Sequence, residues 1–517
     1  MNLTNLLGAR LGLEEISEDL EGNDTVASDT GEMANSIIEL DKADSDVTET
    51  NSKMTMLTDA TESLERVALA LEGITTQTLS MESATLLNLA YENAIHPMAK
   101  YGDTEYRGNA SEGSNTEDQK KGIFEKLKEA WRAFVKMVAK IWDAITNFVS
   151  RLFSTAAMMQ RKAEALLSKV KSVKNNPNAK PFEMNVNELQ VNGKVPKAVE
   201  IVAHVKVASQ IYHNCLVGKD SLLSNSFYKE YEKMVHTLCK KSLDPNEYMR
   251  GDKQDGFFAL TDVLEWRLFL KQSTAKAASA ADIGMKAPAD IAKMYEDTSE
   301  VYISRAPLLG DRVFVFISKA TKNDDKNPHD SYLNWMKGIR YDVISNRSPS
   351  VERAEIEPCR VEDIELILGK VIDTCKDIVT FKKEWLLWMK TAKKIENMVS
   401  EYMDKNERGI YQTDEERAQA GAGKKIPFMK MDAFKAFLSL LRATGVLVSG
   451  FASFETKISK QAMRNCHALI SYSHKSLNAH TGTTSTDDVK DDGVKAEPKE
   501  SKFTNSRDDI SDADLVV

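Results

Sequence analysis

The sequence predicts a mainly α-helical protein, with a multi-helix bundle body, a small antiparallel β element (α+β) and disordered acidic termini. Two observations predict the body. Long stretches place apolar residues three and four positions apart, as in amphipathic helices, and short alternating stretches lie in the middle of the chain. A third observation predicts the termini, because both ends are acidic and poor in large apolar residues.

The first predicted unit, residues 1–112, is an acidic and partly disordered segment. Residues 17–56 are rich in Asp, Glu, Ser, Thr and Asn, so we expect them to be largely disordered. A helical pattern begins near Asp59 and ends near Met98, beside a proline that discourages helix continuation. This pattern predicts one or two helices before the end of the unit.

The second predicted unit, residues 113–176, is a long basic helix with an aromatic face. Within it, GIFEKLKEAWRAFVKMVAKIWDAITNFVSRLF alternates apolar spacings of three and four, which predicts a helix over residues 123–153. Residues 120–153 carry eight Lys or Arg against three acidic residues, so the opposite face is basic. The large aromatic residues of the apolar face are Phe124, Trp131, Phe134, Trp142 and Phe148.

Two interpretations of this aromatic face are open. Aromatic residues opposite Lys and Arg suit the surface of an anionic bilayer, which predicts a membrane-binding or membrane-remodelling helix. Alternatively the face packs in the core against helices predicted at residues 361–405 and 430–477, whose apolar faces need a partner. We favour the core interpretation for that reason.

The third predicted unit, residues 177–350, combines helices with short strands. The stretch PFEMNVNELQVNGKVP alternates apolar and polar residues around Asn-Gly, which predicts a β-hairpin. Two more strands are predicted at 312–318 (RVFVFIS) and 339–345 (IRYDVIS), and helical patterns cover 197–240 and 256–280. The remaining units are a helical bundle at 351–480 and a disordered tail at 481–517.

Two motifs superficially suggest chemistry. AGAGKK at residues 420–425 resembles a phosphate-binding loop, but Lys425 stands where that loop needs Ser or Thr, so we interpret it as a solvated loop. His467 and His474 lie seven residues apart without obvious further ligands, so we interpret them as partly exposed side chains rather than a metal site. No sequence feature therefore supports an enzyme, although an enzyme delivered into the host stays an open alternative, and the sequence predicts no metal and no cofactor.

Size, start and cysteine usage indicate the compartment. The chain has 517 residues, of which 42% are hydrophobic, and Lys or Arg interrupts its apolar stretches before they reach the ~18 residues of a membrane span. No basic region precedes the first apolar residues, so we expect synthesis in a cytoplasm. The cysteines lack any C-x-x-C pair, which predicts reduced, buried thiols. They are Cys215, Cys239, Cys359, Cys375 and Cys466.

Charge divides the chain sharply. Residues 1–112 hold 22 acidic and 6 basic residues, and residues 481–517 hold 10 and 5. The body between them therefore holds 46 acidic and 58 basic residues, a net charge of +12, although the whole chain is −9. A basic body can contact DNA phosphates without sequence specificity.

Glutamates near the start share a local pattern. Seven of the fourteen glutamates in residues 1–112 have Ser, Ala or Gly two positions earlier, against three of twenty-seven in the rest of the chain. The seven are Glu14, Glu62, Glu65, Glu72, Glu82, Glu92 and Glu112. This small-x-Glu pattern resembles the cleavage signal of the maturation proteases of phiKZ-like giant bacteriophages.

The whole organisation is similar to that of the internal head proteins of those phages. The likeness rests on the acidic start with its repeated signal, the basic aromatic helix that follows it, the helical body and the helix ending ALISYSHKSL. It implies a virion structural protein of the capsid interior, made in the host cytoplasm with a propeptide, processed by the prohead protease and packaged beside the genome. Its partners would be that protease and other head or inner-body proteins, and the resemblance leaves open whether the protein is also ejected into the host.

Carried onto this chain, the resemblance implies a final cut after Glu112, since Ala110-Ser111-Glu112 is the last such sequence before the body and Gly113 would begin the product. Secondary cuts are expected at Glu65, Glu72, Glu82 and Glu92. Loss of residues 1–112 changes the formal charge from −9 to +7. A basic product would suit a position beside DNA.

Overall fold

The structure is a computed structural model of the chain. It describes residues 29–72, 78–99, 111–191, 193–216, 232–233, 235–237, 274–276, 300–304, 308–318, 340–345, 352–410 and 431–482.

Long helices dominate these residues, which confirms the predicted class. The helices are α1 (Asp29–Glu72), α2 (Met81–Ala99), α3 (Thr116–Val170), α4 (Ala198–Leu216), α5 (Val361–Ile410) and α6 (Met431–Thr481). The strands are β1 (Phe182–Asn185), β2 (Thr274–Lys276), β3 (Glu300–Ser304), β4 (Arg312–Ser318), β5 (Arg340–Ser345) and β6 (Arg353–Ile356). The helices predicted at 123–153, 361–405 and 430–477 are present as α3, α5 and α6.

The core lies where α3, α5 and α6 meet, and both α1 and α4 add to it. On α3 the buried residues keep the predicted spacing of three and four: Ile141, Ile145, Phe148, Leu152, Ala156, Met159, Ala163 and Leu166. Phe381 and Trp385 of α5 are fully buried, and their ring centroids lie 5.6 Å apart in a tilted arrangement. The apolar face predicted for the helix at residues 361–405 therefore packs in the core at this part of α5.

The expectation that residues 17–56 are largely disordered is wrong for residues 29–56, which form the first part of α1. Met33, Leu40, Val47 and Met54 recur every seven residues and are all buried. A seven-residue apolar repeat keeps one stripe of a helix against its partners, and α1 packs along α3 and α6. The acidic residues of the segment lie mainly on its other faces, so composition alone hid the stripe.

The β element contains two antiparallel sheets. Strand β1 pairs with the distant β6, with Phe182 opposite Ile356, so the predicted local hairpin is wrong in its pairing, although Val191 and Lys194 form an isolated antiparallel bridge. A four-stranded sheet has the order β2-β3-β4-β5, and it contains both strands predicted around RVFVFIS and IRYDVIS. Part of the helix predicted at 256–280 is instead strand β2, and the rest lies outside the described residues.

Polar side chains join the far ends of the long helices. His480 near the end of α6 accepts a hydrogen bond from the Asn176 backbone N–H at Nδ1 (3.2 Å) and donates from Nε2 to the Cys359 carbonyl (2.8 Å). The Asn175 side chain accepts a hydrogen bond from the Val361 N–H at 2.8 Å, so a residue from another part of the chain caps the N-terminus of α5.

Cys359, Cys375 and Cys466 are free and buried, and burial raises the pKa of Cys359 to about 11.

Candidate processing site and the helix interface beside it

The sequence Ser111-Glu112-Gly113-Ser114 forms a tight turn between α2 and α3. The Ser114 N–H donates to the Ser111 carbonyl at 3.0 Å, and Gly113 has a φ of +79°. A positive φ at the third residue is typical of a type II turn, which favours glycine there. Ser111, Glu112 and Gly113 are exposed, so the Glu112–Gly113 peptide bond lies at the surface.

The turn is held against the segment that precedes α2. The Gly113 N–H donates to the Leu79 carbonyl, and the Leu79 N–H donates to the Ser114 carbonyl, both at 3.0 Å. Thr78 and Asn115 form an isolated antiparallel bridge beside them. Residues 111–115 therefore form a short structured turn, and Ala110 lies outside the described residues.

The secondary candidates occupy a different environment. Glu65 lies in α1, Glu72 is its last residue, and Glu82 and Glu92 lie in α2. A helical peptide bond is held by backbone hydrogen bonds, whereas exposed turns are the preferred positions of proteolytic cleavage. The structure thus distinguishes Glu112 from the other four glutamates.

The structure also describes the three glutamates of the small-x-Glu sequences in the body. Glu200 lies in the first turn of α4, where its carboxylate accepts from the Lys197 N–H at 2.8 Å, and Glu455 is buried in α6. Glu352 is exposed just before β6, and its carbonyl accepts from the Val186 N–H at 3.1 Å. Burial protects Glu455, whereas Glu352 is a body position at which a second cut is sterically accessible.

Carboxylates of α1 meet cations of α6 at the edge of the core. Arg464 Nη2 lies 2.6 Å from Asp41 Oδ2, and Arg464 Nη1 lies 3.6 Å from Glu188 Oε1. Nearby carboxylates hold the pKa of Arg464 above its ordinary value despite burial. The guanidinium therefore joins α1, α6 and the segment after β1 through charge-assisted contacts.

Asp44 makes the most buried of these contacts. Asp44 is 5% exposed, and its carboxylate pairs with Lys460 and lies 2.9 Å from the Thr456 hydroxyl. Further out, Arg151 of α3 pairs with Glu39 at 3.0 Å across an exposed edge. Because a buried charge needs a close partner, α1 has a specific register on α6.

The same side of α6 also contacts the segment after β1 and the loop before β4. Gln461 donates to Glu188 Oε2 at 2.9 Å, and Asn465 donates to the Leu309 carbonyl at 3.2 Å. A Cβ at Gly310 would lie 2.6 Å from Glu188 Oε2, and φ is +81° there, so this close approach requires glycine. No local sequence pattern predicts this polar network, because its members are up to 277 residues apart.

The structure describes only part of the aromatic face of α3. Trp142 and Phe148 are buried in the core, which agrees with the core interpretation. The side chains of Phe124, Trp131 and Phe134 lie outside the described residues. Within the part of the chain that the structure describes, no helix is long and apolar enough to span a membrane.

The remaining candidate motifs add no chemistry. His467 and His474 are half-buried, and burial lowers the pKa of His474. The described residues contain no cluster of three potential metal ligands. Residues 420–425 lie outside the described ranges. A cavity between α4, α5 and α6 has a volume of about 10 Å³, enough for roughly one water molecule.

Glu455 predicts a pH dependence of stability. It is 1% exposed, its carboxylate oxygens have no hydrogen-bond partner among the described residues, and burial raises its pKa well above 4.5. The folded protein therefore favours the neutral acid. This contribution to stability is complete below the unfolded pKa and is lost as pH rises toward the folded pKa.

We expect the Glu455→Gln variant to be more stable than the unmodified protein at pH 8 and nearly equal to it at pH 4.5. The amide keeps the shape of the neutral acid and does not ionise. Urea denaturation at both pH values measures the difference, and Glu352→Gln is an exposed control. An equal difference between variant and parent at the two pH values would contradict the assignment.

The protein is therefore mainly helical, and its long helices pack on one another in the described residues. An exposed turn at Glu112 and Gly113 separates the acidic residues 1–112 from the basic residues that follow. The family model of the phiKZ-like phage internal head proteins matches residues 42–222. This match confirms the predicted resemblance to that family over residues 42–222. It runs from within α1 to beyond α4, on both sides of Glu112. Searches of curated proteins and of solved structures found no significant match.

Proposed function

We propose that the protein is an internal head protein that is made as a precursor, cut after Glu112 by the phage prohead protease and packaged beside the genome. One observation carries the proposal. The last small-x-Glu sequence before the body coincides with an exposed turn between helices, at Glu112 and Gly113. The family match supports the compartment in which such a protease acts.

The proposed partners follow from charge and from the family. Residues 113–517 have a formal net charge of +7, so the product can lie against DNA phosphates by an attraction that weakens with salt. Other head or inner-body proteins are the partners expected of an internal head protein. A membrane role for residues 123–153 is not favoured, because the described part of that aromatic face packs in the core.

The test is the mass and the N-terminus of the protein from purified phage particles. We expect the precursor of 57.8 kDa in infected cells and a shorter chain that begins at Gly113 in particles. A Glu112→Gln variant should remain uncut at this bond, because the protease signal requires the glutamate. Glu105→Gln, which lacks a small residue two positions earlier, should be processed normally. A full-length chain in mature particles would refute the proposal.

A further inference from the structure

The strongest unexplained feature is how deeply the acidic N-terminal part is built into the body. Met33, Ile37, Leu40, Val47 and Met54 all belong to the main core cluster, together with residues of α3 and α6. If residues 1–112 were simply released by one cut, this buried stripe and its partners on the body would both be exposed to water. Such exposure opposes dissociation.

Ion pairs act along the same stretch of α1. Glu39 pairs with Arg151, Asp41 with Arg464, and Asp44 with Lys460. Dissociation would leave the most buried of these charges without partners. The apolar stripe and the ion pairs therefore both hold residues 33–54 of α1 on the body.

None of the candidate cleavage positions falls within this anchoring segment. Glu14 precedes α1, and the following small-x-Glu glutamates are Glu62, Glu65 and Glu72, which come after Met54. Cuts at any of them, or at Glu112, leave every anchoring residue on one continuous piece.

We propose that α3 and α6 form a permanent docking surface for α1, so that processing leaves the acidic helix bound to the body as a separate, noncovalently held chain. The inference rests on the proposed function for one point, the cleavage after Glu112 in the phage head. The docking surface itself does not depend on that cleavage, because it is present in the uncut chain. Its partner is a segment of this same protein: an acidic helix with a seven-residue apolar repeat.

Retention of α1 changes the charge of the product. Residues 29–72 contain 11 acidic and 3 basic residues, a net charge of −8. Because a cut at Glu112 leaves residues 1–112, with a net charge of −16, bound to residues 113–517, with a net charge of +7, the two-chain product keeps the −9 of the uncut chain. Cleavage at Glu112 by itself therefore does not change the net charge, and the net attraction of the +7 body to DNA applies only after α1 has left the body.

The experiment uses the full chain with a recognition sequence for a site-specific endoprotease inserted between Glu112 and Gly113. After cutting in native buffer, we expect both fragments in one size-exclusion peak and a one-to-one complex by native mass spectrometry. In guanidinium chloride the fragments should separate. Separate elution in native buffer, with a body that stays folded by circular dichroism, would overturn the proposal.

Matched variants test which contacts retain the helix. Leu40→Ala combined with Asp44→Asn removes one apolar and one ionic anchor, and we expect at least tenfold faster release of the cut fragment. Ile38→Ala combined with Asp46→Asn alters exposed residues of the same helix turns and should leave release unchanged. Equal release rates in the two double variants would overturn the assigned anchors, and circular dichroism before cutting establishes that each variant folds.

Purified particles separate this inference from the proposed function. Peptides from residues 29–60 should be present in amounts equal to peptides from the body, although the body chain begins at Gly113. If particles contain only full-length protein while the engineered cut leaves a stable complex, the proposed processing fails and the docking surface stands. If particles contain the cut body without these peptides, the docking inference fails and the processing stands.

Discussion

Replacing Phe148 with alanine is expected to lower the free energy of unfolding by about 3–5 kcal/mol. Phe148 is 1% exposed and lies on the α3 face that packs in the core. Removal of the ring takes away its burial from water and leaves a cavity that neighbouring helices fill only in part. Urea denaturation followed by circular dichroism measures the change.

The matched control for this variant is Val207→Ala on α4, where the side chain is 45% exposed. Its effect should stay within about 0.5 kcal/mol, as for most surface substitutions. The same variants also test the two interpretations of the aromatic face. If Phe148→Ala left stability unchanged but abolished flotation with anionic liposomes, the membrane interpretation would replace the core interpretation.

Replacing Leu40 with alanine is expected to cost about 2–5 kcal/mol of stability. Leu40 is fully buried in the interface of α1 with the body, whereas its near neighbour Ile38 is 47% exposed. The Ile38→Ala variant therefore tests a similar loss of volume on the same helix without loss of core packing. Urea unfolding midpoints of the two variants give the comparison.

A disordered N-terminal segment would give the opposite result. If residues 29–56 did not pack on the body, Leu40→Ala and Ile38→Ala would have equally small effects on the unfolding midpoint. A large effect of Leu40→Ala alone would show that the acidic segment is part of the cooperative core. This outcome is independent of whether any protease cuts the chain.

Periodicity predicted the long helices of the body because each has one continuous apolar stripe. The spacing of Ile141, Ile145, Phe148 and Leu152 identifies a helix face without knowledge of its partner. The same method could have found α1, since Met33, Leu40, Val47 and Met54 repeat every seven residues. Composition hides this repeat, because a second row of residues at the same seven-residue interval is polar. That row contains Asp44, Asn51 and Thr58, each four positions after a residue of the apolar repeat.

Strand pairing could be predicted only in part. The stretches RVFVFIS and IRYDVIS were identified as strands from alternation, and they pair with each other as β4 and β5. The partner of β1 is β6, whose residues lie about 170 positions later in the chain. Local turn chemistry at Asn192-Gly193 gave no information about that distant pairing, because hydrogen bonds between remote strands depend on how the helices bring them together.

The sequence by itself determined the helical class, the charge boundary and the small-x-Glu pattern that ends at Glu112, because periodicity, charge and short motifs are local properties of the chain. Only the tertiary structure decided that Glu112 lies in an exposed turn and that the acidic segment before it is anchored in the core. The ion pairs of Asp41 and Asp44 with α6 join residues more than 400 positions apart. Such contacts arise from the packing of whole helices, which no local pattern contains.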